Sequence, residues 1–445
     1  MDWLKTDVPY RGALRSVLAL TLVLAVGPLV AGAQDSFEDQ VANLKSPTAK
    51  TRQAAAKALG ESRRHEAVAP LSALVRDPEP RVRLEVVLAL TNLRDLSGVP
   101  ALVTSLQDGD PKVREQAISG LVEIYSERER IGGVSRFLQM FSDEFKGPVV
   151  LPFTTVDPAV FQGLTGTLRD EETHLRSESA QAIGILGGSI VADHLVAAFQ
   201  DPESEVRGAA VTALSKVGNE EQGRALIPLL ADGSSQVRNR AIEAVGVLQV
   251  TDAGPALREI YEQNERRALG TRALAAMART GDPNQADLYR QLLMSTDPER
   301  RRMAVEGLAR VSDPSMIDGF KKDFQREKNA DVRLAYNFAI TLLGDRAFLD
   351  SIVLALPDSG GRGERARGYI KELGPSLSAD LYPYLQDQDP KVRAGLCAVL
   401  AGFGDPAAIE WLTPLLADPD PDVADQANRA IQSLGRAGGE PTFGQ

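Results

Sequence analysis

The sequence predicts an all-α chain, an α-solenoid superhelix of about 12 helix-pair repeats with a period of about 31 residues. Three observations predict it. A Val-Arg pair returns at a fixed interval, the residues around it carry the apolar stripe of a helix, and Asp-Pro and Gly punctuate the chain at matching places. Fixed self-similarity at this length marks stacked helical units, each of which buries its apolar face only against its neighbours.

The interval comes first. Arginines aligned on the motif are Arg52, Arg83, Arg114, Arg176, Arg207 and Arg238, at steps of 31, 31, 62, 31 and 31. Arg272, Arg301, Arg333, Arg365 and Arg393 follow, at steps of 34, 29, 32, 32 and 28, and one more period lands on Ala424. The step of 62 is two periods, so the unit between Arg114 and Arg176 is expected to lack its Val-Arg helix.

The stripe comes next. With the residue before the arginine as offset 0, Val206, Ala210, Val211, Ala213, Leu214 and Val217 fall at offsets 0, 4, 5, 7, 8 and 11, and Val113, Ala117, Ile118, Gly120, Leu121 and Ile124 fall at the same ones. This is an amphipathic helix with a small-residue face. It forms the second helix of each unit. Asp-Pro, as in Asp77-Pro78, Asp201-Pro202, Asp297-Pro298 and Asp418-Pro419, stops the preceding helix and supplies capping for the next. At offset 12 stands Gly187, Gly218, Gly344, Gly404 or Gly435, suited to a left-handed helix end. Segments such as EAVAPLSALVRD and AAIEWLTPLLAD supply the first helices.

With both helices placed, the chain resembles HEAT-like repeats of the short class found in phycobilin lyases, whose consensus ends in DPxxxVRxxAxxALGxLG. The resemblance covers about Ser46 to Gly435. It implies a curved rod on the order of 100 Å long, with the second helices lining the concave side and Asp and Arg side chains laddered between successive repeats. The ladder residues it implies are Asp77, Arg83, Arg114, Arg176, Asp201, Arg207, Arg238, Arg333, Asp389 and Arg393. An arginine fork bridges carboxylates and helix-end carbonyls as lysine cannot.

Flanking segments complete the organisation. Lys5, Arg11 and Arg15 precede an uncharged run, Ser16 to Val30, and Ala31-Gly32-Ala33 offers a small-x-small cleavage site, so residues 1–33 are expected to be a signal peptide. The chain is then exported, periplasmic or secreted, and meets a membrane only if this segment stays uncleaved. Residues 34–435 form the solenoid, with an irregular loop insertion near 145–161, and residues 436–445 a flexible tail. The prolines and β-branched run of FKGPVVLPFTTVDPAVF, Phe145 to Phe161, argue for an extended loop.

Charge and residue types narrow the function. Without residues 1–33 the chain carries 47 Lys and Arg against 59 Asp and Glu, net −12, a balance that repels phosphate backbones. A nucleic-acid partner is therefore not expected, and the basic, aromatic-lined groove of HEAT-repeat alkylpurine DNA glycosylases is missing. HEAT-repeat deoxyhypusine hydroxylases bind iron through several His-Glu pairs, but here only His65-Glu66 fits, so neither metal nor cofactor is expected. Cys397, the single cysteine, sits at a small core position. The charge runs SERERI and PERRRM read as helix ends and solvated faces.

No nucleophile is paired with a base, so no catalytic residue is expected. The expected function is a non-enzymatic scaffold that binds a protein or peptide; the alternative is a lyase-like enzyme or an accessory subunit of an enzyme complex. Candidate contact residues are Val149 and Phe153 in the insertion, and Glu85, Gln116, Ser119, Arg240, Glu243 and Phe338 at offsets 3 and 6, expected to point outward from the second helices. The sequence implies no oligomeric state.

Overall fold

The computed structural model describes residues 36–127 and 156–437, apart from Ser312 and Gly360. Among them all regular structure is helical and falls into twelve pairs, each a short first helix followed by a longer second one. The second helices are Ala49–Glu61 (α1), Pro80–Leu93 (α2), Pro111–Glu127 (α3), Thr173–Leu186 (α4), Ser204–Val217 (α5), Ser235–Val247 (α6), Ala268–Thr280 (α7), Pro298–Arg310 (α8), Ala330–Leu342 (α9), Arg362–Leu373 (α10), Pro390–Phe403 (α11) and Pro421–Ala437 (α12). Among the described residues no helix is long and apolar enough to cross a membrane.

The apolar stripe does what its spacing dictates. Val206, Ala210, Val211, Ala213 and Leu214 are at most 2% exposed. Successive second helices approach where offset 9 of one meets offset 7 of the next: a Cβ on Gly60 would lie 2.6 Å from Ala89 Cα, and one on Gly184 would lie 2.8 Å from Ala213 Cα. Real side chains do not come this close, so a larger residue at either glycine would push the helices apart. First helices stay short partly because prolines interrupt them. Pro228 lies inside the 3₁₀ segment Arg224–Ala231, where its missing N–H removes an α-helical bond.

Offset 12 is left-handed in most units. Gly187, Gly344 and Gly404 adopt positive φ as expected, and so do Gly281, Gly374 and the non-glycine residues Arg63, Arg94 and Gln249. Two expectations fail. Gly218 ends α5 in an extended conformation, and Gly435 lies inside α12, which runs to Ala437, so the final helix reaches two residues into the expected tail.

The double step also resolves differently. Arg114 on α3 forks onto Asp170, fifty-six residues away, instead of the usual twenty-five, and α3 packs directly on α4. No unit is missing from the stack; the chain carries an extra 31 residues between two units that are neighbours. The Asp157 backbone N–H donates to the Tyr125 hydroxyl (3.3 Å), tying the two ends together. The expected loop also ends early. Pro158–Thr167 is a helix with Asp157 as its N-cap, because Asp157 Oδ1 takes the Ala159 N–H and proline suits the first turn. Val149 and Phe153 lie outside the described residues, as do residues 1–35.

Candidate functional site

Two surfaces carry the polar side chains that sequence singled out: the edge where the turns stack, and the inner face of the second helices. On the edge, Arg52 Nε and Nη2 donate to both Asp77 oxygens (2.7 and 2.8 Å), while its Nη1 donates to the Ser46 carbonyl of its own turn (2.9 Å). The same fork joins Arg83 to Asp108, Arg114 to Asp170, Arg176 to Asp201, Arg207 to Asp232 and Arg393 to Asp418, with a glutamate, Glu327, on Arg301. Each aspartate also accepts the N–H two residues on, as Asp77 does from Glu79 (3.0 Å).

In the six Arg–Asp rungs the side chains are only 5–16% exposed, so the geometry holds them in place against water. Burial alone would raise the Asp77 carboxyl. The Arg52 fork, the Glu79 N–H and the charges of Arg52 and Arg83 outweigh it and hold Asp77 below the usual carboxylate range. Asp170 and Asp201 follow the same pattern. For Asp232 and Asp418 the arginine fork is the largest influence. Asp77, Arg83, Arg114, Arg176, Asp201, Arg207 and Arg393 thus stand in rungs that bridge successive turns.

Three expected rungs are corrected. Asp389 is the N-cap of α11, accepting from Lys391 N–H (2.8 Å), because its position follows the turn and Asp387 occupies the turn itself. Arg238 and Arg333 bind backbone carbonyls with Nη1 but hold no carboxylate. Arg272 and Arg365 are out of register. Gly281 and Gly374, the left-handed helix ends, place offset 1 of α7 and α10 at Gly270 and Gly363, and Arg272 and Arg365 at offset 3. There they pair with Glu243 and Asp331 on the preceding second helices.

The inner face divides into an open and a filled part. Glu85 accepts a hydrogen bond from Gln53 (3.3 Å), Gln116 is half-buried, Ser119 is exposed, and Arg240 lies across Gly208 of α5. Glu178, at offset 3 on α4, escaped the sequence reading: its Oε2 is buried without a partner, and burial, then Glu115 and Glu205, push its carboxyl up.

From α8 to α10 the face is filled from within. Phe338, expected to point outward, is fully buried, stacked on Tyr369 with ring centroids 4.3 Å apart. Tyr369 on α10 donates to Glu306 on α8, and Arg310 on α8 forks onto Glu372 on α10 (2.7 and 2.8 Å). Side chains two helices apart meet only on the side toward which the row bends, so the second helices do lie on the inner side here. Arg302, expected on a solvated face, is only 15% exposed, with its Nη1 2.6 Å from Glu306. Burial pushes the Glu306 carboxyl up, but Arg302, Arg310 and the Tyr369 hydroxyl more than offset this, and it stays ionised. The signal for this knot was Tyr369 at offset 7, a position held by Ala or Gly in most units.

Other features offer little chemistry. His65 is 79% exposed beside Glu66, and among the described residues no group of three or more His, Cys, Asp or Glu side chains could hold a metal. Cys397 is fully buried, and burial pushes its thiol up to about 12. A cleft of about 270 Å³ between first helices, lined by Thr165, Arg169, His194 and the Arg176–Asp201 rung, is small for an organic ligand.

The sequence profile of HEAT repeats matches residues 38–122, 154–215, 192–276 and 378–442. Among solved structures the chain is similar to YibA of Escherichia coli, with 16% identity over 62% of this chain and 91% of that one and a TM-score of 0.39. It is similar to the phycocyanin lyase CpcE–CpcF complex of Nostoc sp., at 20% identity over 63% and 97% and a TM-score of 0.29. A chain from a study of the interaction between cadherin and β-catenin shares 12% identity over 91% of both, with a TM-score of 0.41. No curated protein sequence matches.

Proposed function

The chain belongs to the HEAT-repeat family, and from that premise we propose that it is an exported, non-enzymatic scaffold holding a protein or peptide along its inner face between α2 and α7. The observation that carries this reading is the contrast along that face. From α8 to α10 the chain's own Glu306, Phe338 and Tyr369 occupy the space, whereas from α2 to α7 the inner positions hold Glu85, Gln116, Ser119, Glu178, Arg240 and Glu243, none of them sealed in a core. Polar, partly exposed side chains on a stack of rigid helices suit recognition of an extended partner, since little side-chain order is lost on binding.

A non-enzymatic role is supported by the way charged groups are used: seven of the edge arginines are committed to rungs, and the single thiol is buried and held protonated. A photo-crosslinking residue at Ser119 or Gln116 is expected to capture a discrete protein from the cell envelope, while the same residue at exposed Gln162 on a first helix captures none. Capture only at Gln162 sinks the inner-face reading. Export is tested separately: the N-terminus of the envelope-purified chain is expected at Gln34.

A further inference from the structure

Charge is unevenly distributed along this acidic chain. Residues 266–371 hold nineteen Lys and Arg against fourteen Asp and Glu, net +5. Of the two edge arginines without a carboxylate, Arg333 lies within this segment and Arg238 lies twenty-eight residues before it. Arg238 Nη1 is clamped by the Asp232 and Gly233 carbonyls (2.6 and 3.1 Å), as in the filled rungs of Arg52, Arg83, Arg176, Arg207, Arg301 and Arg393. Its acceptor position, twenty-five residues on, is Gln263, whose amide donates to Glu259 instead.

Arg333 Nη1 is clamped by the Phe324 and Glu327 carbonyls (2.8 and 3.2 Å), and its guanidinium lies over the Phe324 ring, 4.0 Å from the centroid. Its acceptor position is Asp358, which is taken by Arg362 Nε (2.6 Å). In both arginines Nε and Nη2 are left without an acceptor among the described residues. Seven rungs of this same molecule show what fills such a fork: a carboxylate, at 2.6–3.1 Å.

We infer that Arg238 and Arg333 are docking points for two carboxylates of an extended acidic segment on a partner protein, which runs along the turn edge across Met294. Three units separate the forks, a span of roughly 30 Å at helix-pair spacing, which an extended segment of about 9 residues covers. Met294 is 85% exposed in the turn before α8, in the second of the two intervening units, next to Ser295, whose carbonyl accepts from Arg301. It offers an apolar contact between the forks. The planar forks are preorganised by the carbonyl clamps, so binding a carboxylate there costs little side-chain order. This rests on the scaffold reading and adds to it a second surface and the chemistry of what it takes.

The test uses the full chain and a fluorescein-labelled peptide of about 11 residues, with two glutamates at each end and a central methionine, read by fluorescence anisotropy at low salt. Arg238→Ala with Arg333→Ala is expected to weaken binding by about 100-fold and each single change by about tenfold. Arg238→Lys with Arg333→Lys keeps charge but not the fork and is expected to weaken it at least severalfold, which also serves if the alanine pair does not fold. Equal binding by the lysine pair overturns the inference, as does equal or tighter, equally arginine-dependent binding of a labelled single-stranded oligonucleotide. Peptide binding lost with inner-face cross-links intact confirms the edge as separate. Absent cross-links with peptide binding intact sink only the inner-face reading.

Discussion

The stack from α1 to α6 and the stack from α7 to α10 share one repeat but hold their units together differently. In the first, every joint is closed at the edge by the same fork, Arg52–Asp77 through Arg207–Asp232, and the inner face is left open. In the second, a single fork of this kind survives, Arg301–Glu327, and α8 to α10 are joined on the inner side by a largely buried knot of Glu306, Arg302, Arg310, Phe338 and Tyr369, with exposed Glu372 at its rim. The difference shows that stacking needs polar closure at each joint but not at a fixed place. Where closure moves inward, the inner face is consumed and edge arginines are released.

The sharpest way to break the comparison is at Glu306. It is 7% exposed and balances Arg302 and Arg310, whose side chains are 15% and 10% exposed. Glu306→Ala leaves Arg302 without its hydrogen-bonded carboxylate and removes a countercharge near Arg310, an imbalance that costs about 3–5 kcal/mol in buried networks. Urea unfolding followed by circular dichroism is expected to show the α7 to α10 part melting first, as a separate early phase. A single transition displaced by less than about 1 kcal/mol would mean that the knot does not close these joints.

A smaller effect is expected at a filled rung, and a smaller one still at an open fork. Arg207→Ala removes two charge-assisted bonds to Asp232 and is expected to cost about 2 kcal/mol, whereas Arg238→Ala removes only bonds to carbonyls that water can replace and is expected to cost about 0.5 kcal/mol or less. The rung also predicts the direction of the pH response. Asp77, Asp170, Asp201 and Asp232 have folded pKa values below their unfolded ones. Their stabilisation is therefore fully present above the unfolded value, near 4, and is lost as pH falls through the folded values. Thermal melts of wild type are expected to drop steeply below about pH 4, and Arg207→Ala to show a shallower drop. Parallel curves would remove Asp232 from the account.

How much of this was legible in the sequence follows the same division. Between Arg52 and Arg207, apart from the step of 62, the arginine interval, the helix register and the rung coincide, so counting residues located the second helices and the arginines that form the rungs. Beyond it, Arg272 and Arg365 imitate the interval while standing two positions past the true one, held by Gly270 and Gly363. Charge alone could not separate the two, but the glycines twelve residues after offset 0, Gly281 and Gly374, could have. Phe338 was misplaced for a different reason. Helical periodicity describes a helix against its neighbours in the stack, and says nothing of a tyrosine arriving from two helices away. The extra 31 residues before α4 misled because their length equals one period; only the Arg114–Asp170 contact distinguishes an insertion from a unit that has lost its arginine.

The mildest comparison concerns offset 12, where both stacks use the same left-handed residue but fill it differently. The central stack uses Gly281, Gly344 and Gly374, while the first stack has Gly187 on α4 but places Arg63, Arg94 and Gln249 on α1, α2 and α6, with φ of 55°, 54° and 53°. A side chain in this conformation crowds the following carbonyl at a cost of about 1–2 kcal/mol, partly repaid because glycine loses more freedom on folding. Gln249 is exposed and hence the cleanest position. Gln249→Gly is expected to stabilise by about 0.5–1 kcal/mol, and Gly281→Ala to destabilise by about 1 kcal/mol, both read as shifts in urea midpoint. If Gln249→Gly destabilises instead, the left-handed end of α6 is held by its side chain, and the first stack depends on offset 12 in a way the central one does not.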